Sequence, residues 1–162
     1  MGLTPVQFLE SFVEGNTWDY KENPGCIRRA FNASVTASHL ADHYHAFYSR
    51  HDPDLVASYP SLAQFIKHLN IETEGAFRDI RSLANVYKHL YTDNDQRKAA
   101  QSTVDSCGSI ISLALEASAE VIQVEQKYRE TDSVVVFRRK DGTSAEFLPV
   151  LEKVIAYWNN FL

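Results

Sequence analysis

The sequence predicts a mainly α fold, a bundle of about five helices with a small antiparallel β-hairpin or meander before the C-terminal helix. Apolar residues recur at helical spacing along most of the chain. Thr4-Pro5 and Asn23-Pro24 supply helix-start signals. Near the end, Val134 to Arg139 and Ala145 to Phe147 are β-prone runs divided by Lys140-Asp141-Gly142-Thr143, where Asp-Gly is turn chemistry.

Taken in order, Thr4 caps the first helix and Pro5 occupies its first position, with Val6, Phe8, Leu9, Phe12 and Val13 as its apolar face. Gly15-Asn16 is expected to stop it. A long helix then runs from Asn23-Pro24 to about Arg50, since no proline or glycine follows Gly25 in that stretch. Its face of Ala30, Ala33, Ala37, Leu40, Ala41, Tyr44, Phe47 and Tyr48 suits close packing. His51-Asp52-Pro53-Asp54 reads as a turn, and a short helix after Pro60 places Leu62, Phe65, Ile66 and Leu69 at core spacing. Another helix spans about Glu74 to Tyr91, followed by a polar loop over Thr92 to Ser102. Residues 104–119 read equally as helix or strand. Ile122, Val124 and Tyr128 alternate with polar neighbours, which favours a strand. After the hairpin, Pro149 starts a final helix burying Val150, Leu151, Val154, Ile155, Trp158 and Phe161.

A chain of 162 residues can bury a core without staples, and one domain over 1–162 is expected. The net charge of −5 argues against broad, non-specific nucleic-acid binding, which needs a basic face. It leaves room for a local basic site. Cys26 and Cys107 stand far apart without zinc-type spacing, as reduced thiols in a cytoplasmic protein would. The N-terminus lacks signal-peptide features, no apolar run is long enough for a membrane, and no cofactor is expected.

The helix from Phe77 to Tyr91 organises the rest. Ile80, Ala84, Tyr87 and Tyr91 form its apolar stripe, with Phe77 and Leu83 at the edges. Arg78, Arg81, Asn85, Lys88 and His89 crowd the border beside that stripe, within roughly 100° of arc. Such a group can hold a phosphate, or it can hold a neighbouring helix.

Arg81-xxx-Asn85-xx-Lys88-His89, with an upstream His39-Leu-Ala-Asp42-His43 helix and a downstream Asp-Gly hairpin leading through Pro149 to Trp158, resembles an uncharacterised bacterial and phage-borne helical family with an RDxxNxxKH-type motif. That family is in turn similar to HEPN domains. The resemblance implies a dimeric helical module in a defence, toxin or stress system, acting as a metal-independent ribonuclease or as an RNA- or nucleotide-binding module. The catalytic HEPN signature, an Arg followed at a short gap by a His, is absent, because seven residues separate Arg81 from His89.

On that reading His89 works as acid or base at the 2′-hydroxyl, since imidazole titrates near neutrality. Arg81 receives phosphate oxygens, Asn85 orients it, and Arg78 and Lys88 bind substrate. The structural alternative pairs Arg81 with Asp42 of the adjoining helix. A different class of function follows from His39 and His43, whose i, i+4 spacing presents two rings to one metal with Asp42 between them. No third ligand is evident, and as hydrogen-bonding groups between helices the same residues need no metal. The remaining reading is a non-catalytic homodimeric interaction protein, the exposed-edge aromatics meeting a twin about a two-fold axis.

Overall fold

The computed structural model describes residues 2–89, 102–114 and 133–162, except for the side chain of His89. Five helical rods and a three-stranded antiparallel sheet make up these residues, with the sheet before the last helix as expected. Tyr91, most of the 92–102 loop and the strand expected at Ile122, Val124 and Tyr128 fall outside them.

Helix α1 is α-helical over Pro5–Phe8, π-wound over Leu9–Val13 and α-helical again over Glu14–Glu22. Thr4 and Gln7 form the reciprocal capping box that starts it. Gly15-Asn16 does not stop the rod. Gly15 faces open space, and the Asn16 side-chain amide donates to the Phe12 carbonyl at 2.9 Å. The buried residues Pro5, Leu9, Val13 and Thr17 are four apart, so they drift around a regular helix. The wider π turn draws them back to one side, and Val6 and Phe12 are left exposed.

Helix α2 (Ile27–His51) begins later than the Asn-Pro signal implies. The Pro24 carbonyl is occupied from outside, by the Tyr20 hydroxyl at 2.7 Å and the Val135 amide at 2.9 Å. Burial of Tyr20 pushes its phenol up to about 12. The alanine face behaves as expected, with Ala33, Ala37, Leu40 and Ala41 fully buried. Helix α3 (Leu62–Glu72) is capped by Ser61. The turn into α4 (Ala76–His89) puts Glu74 and Gly75 at positive φ, and the Thr73 hydroxyl accepts from the Phe77 amide at 3.0 Å.

Residues 110–114, within the stretch readable either way, form strand β1 (Ile110–Ala114), paired with β2 (Ser133–Arg138) so that Ile110 lies opposite Phe137. Strand β3 (Ser144–Glu146) completes the hairpin, and Gly142 takes the left-handed conformation its turn needs at φ 86. Helix α5 (Phe147–Phe161) starts two residues before Pro149, which fits because a first-turn proline lacks only an amide that has no helical partner.

The apolar face expected for α4 is present at Phe77, Ile80, Leu83 and Ala84, and Tyr87 is the departure from it. Phe77, Ile80, Leu83, Ala84 and Val86 are buried, whereas Tyr87 is 45% exposed. The buried face also extends over Ala76, Asp79 and Ser82, and Asp79 is satisfied inside the protein. Its carboxylate accepts from Arg139 Nε at 2.9 Å, Arg139 Nη2 at 2.6 Å and the Thr103 hydroxyl at 2.7 Å. Arg139 also lies over the Phe137 ring. Arg139→Ala would leave Asp79 charged and buried, so urea denaturation should show a loss of about 3 kcal/mol, as for other broken buried pairs. A variant within ~0.5 kcal/mol of the parent would mean that the pair is not part of the core.

Candidate functional site

Helices α2 and α4 pack against each other, and this brings the polar borders of both rods to one seam. On α4, Arg81, Asn85 and Lys88 are at i, i+4 and i+7, within about 60° of arc. Opposite them on α2 stand Asp42 and His39. Arg81 donates to Asp42 at 3.2 and 3.5 Å, so the structural pairing anticipated for this arginine is present. The Lys88 ammonium donates to His39 Nε2. Asn85 lies between the two contacts, half-buried.

The other expected residues are placed differently. Arg78 is exposed on the solvent side of α4. His89 closes the helix, with its side chain outside the described residues. His43 is engaged elsewhere, its Nε2 at 2.8 Å from the Leu3 carbonyl and its ring against Phe8. His39 and His43 are therefore drawn to different partners. Among the described residues, no group of three His, Cys, Asp or Glu side chains is gathered for a metal ion.

Sequence reasoning missed the His39–Lys88 contact, which joins residues far apart in the chain and has no local signal. It also missed the stacking of Tyr87 on Phe31, with ring centroids 4.7 Å apart and planes 21° from parallel. A signal for Asp79 did exist. Ala76, Asp79, Ser82 and Val86 share one side of the helix, a line of small residues that a second packing face would use.

The seam has a distinct electrostatic character. Burial pulls the His39 pKa below its ordinary 6.5, Lys88 and Arg81 lower it further, and Asp42 partly offsets them. Neutral His39 is the form that accepts from Lys88. The site thus gathers a guanidinium, an ammonium and a carboxylate around an imidazole whose protonation is disfavoured.

No family model, curated protein or solved structure matches the chain.

Two predictions follow from the seam's geometry. His39 should titrate below 6.5 by NMR, and Lys88→Met should raise its pKa. Because the folded-state pKa is depressed, the unfolded chain binds the proton more readily. This contribution to stability is therefore present above pH 6.5 and is lost as pH falls through the folded pKa. The second prediction concerns Arg81→Ala. The Arg81 and Asp42 side chains are 29% and 38% exposed, and water screens such a pair, so the variant should lose no more than about 1 kcal/mol in a thermal melt.

Proposed function

We propose that this protein is an RNA-binding helical module whose α2–α4 seam receives backbone phosphates. One observation carries the reading: the charge is unevenly distributed. Helices α2 and α4 carry Arg28, Arg29, Arg50, Arg78, Arg81 and Lys88 against Asp42 and Asp79, a surplus of four positive charges in a chain whose net charge is −5. Five of the six histidines lie on the same two helices. Acidic surface elsewhere would repel a polyanion and leave this pair of rods as its docking face.

The resemblance to HEPN-like domains points in the same direction, toward a role in defence, toxin or stress biology. Binding is favoured over cleavage as the primary activity because Arg81 is held by Asp42 and the Arg-to-His spacing of the catalytic signature is missing. In the binding role Arg81 and Lys88 contact phosphate, Asn85 offers an amide between them, and Arg78 extends the basic border. The reading includes self-association, supported by Phe12 and Trp18 of α1, which are 44% and 67% exposed. Sedimentation at micromolar concentration should then give about twice the 18.4 kDa chain mass. A monomer would remove that part of the reading.

The central test is fluorescence anisotropy with labelled RNA over a range of salt. Binding should weaken linearly in log–log form, and Arg81→Ala and Lys88→Ala should each lower the slope by roughly 0.7–0.9 for one lost phosphate contact. An RNA-cleavage assay on the same samples tests the catalytic alternative. If the parent protein shows no binding even at low salt, the proposal fails.

A further inference from the structure

Tyr87 is the least expected large side chain on α4. It follows a run of buried residues, yet nearly half of its surface meets solvent. Isolated exposed aromatics are common and need no explanation. This one differs in two respects. Phe31, buried on α2, covers one face of its ring in a near-parallel stack and so sets the plane of the phenol against the body of the protein. It is also followed directly by Lys88, whose ammonium lies at the seam beside His39. A ring held flat and partly open, on the helix that also carries Arg81 and Lys88, is an arrangement that can receive a nucleobase.

Resting on the RNA-binding reading above, we propose that the ligand is single-stranded RNA, with one unpaired base stacked on the open part of Tyr87 and its backbone running along Lys88 and Arg81. Arg81 and Lys88 are seven positions apart, about 10 Å along the helix. The two cations are held by different partners, Asp42 and His39, and so serve different phosphates. A duplex cannot use the platform, because its bases are already stacked and paired. Base–aromatic stacking is tolerant of sequence, since every base has a π face, so discrimination is for strandedness rather than base identity.

Anisotropy with a short labelled oligo-adenosine RNA, the same strand annealed to its complement, and heparin as a base-free polyanion tests this. Tyr87→Leu keeps an apolar cover over Phe31 but removes the π face. It should weaken binding of the single strand by about 5- to 150-fold, and Tyr87→Phe should rescue it. A 2-aminopurine placed in the strand should be quenched on binding to the parent protein, a readout that requires no variant to fold. Absence of quenching overturns the stacking proposal. So does single-strand binding that survives Tyr87→Leu but is lost in Arg81→Ala and Lys88→Ala, and that result leaves the phosphate-binding reading standing. Binding of neither RNA nor heparin overturns both.

Discussion

The buried Asp79 carboxylate ties the helical part of the molecule to its sheet. A carboxylate inside a protein is tolerated only when its oxygens are met by donors. Here Arg139, just beyond β2, and Thr103, before β1, supply them. The Ser82 hydroxyl, one turn along α4, accepts from the Thr103 amide at 2.9 Å. The Thr103 carbonyl in turn accepts from the Lys140 amide at 2.8 Å. One charged residue thus gathers two segments distant in sequence onto a single turn of α4. Its cost is offset only in this one arrangement, so it specifies the rotation of α4 as well as its position.

That rotation has consequences at the other side of the helix. With Asp79 turned inward, Phe77, Ile80 and Leu83 fill the core, and Arg81, Asn85 and Lys88 come to the seam with α2. Tyr87, near the end of the helix, is partly exposed and rests on Phe31. A larger side chain at Ala33, Ala37 or Ala41, all fully buried, would have to displace neighbouring core residues.

At the seam, the same forces that hold the helices together set its chemistry. Asp42 restrains Arg81 without burying it, which leaves the guanidinium partly open to solvent. Burial and two nearby cations oppose the charging of His39, and Asp42 partly offsets them. A neutral imidazole accepting from Lys88 fixes that side chain at low electrostatic cost, and the positive charge remains available on the surface.

Much of the bundle was legible in the sequence because it rests on local physics. Apolar spacing located the rods, the Thr4 cap and Pro5 started the first, and Asp141-Gly142 turned the hairpin, since each effect acts over a few residues. The group Arg81, Asn85 and Lys88 was visible as a polar border for the same reason. Local rules failed where distant groups intervened. Gly15-Asn16 did not end α1, and Asn23-Pro24 did not begin α2, because Tyr20 and Val135 claimed the Pro24 carbonyl. The exposure of Tyr87, the Lys88–His39 contact and the Tyr87–Phe31 stack were decided by tertiary structure. In each, the partner that satisfies a charge or covers a ring is brought from another part of the chain, and a residue's own neighbours carry no record of it.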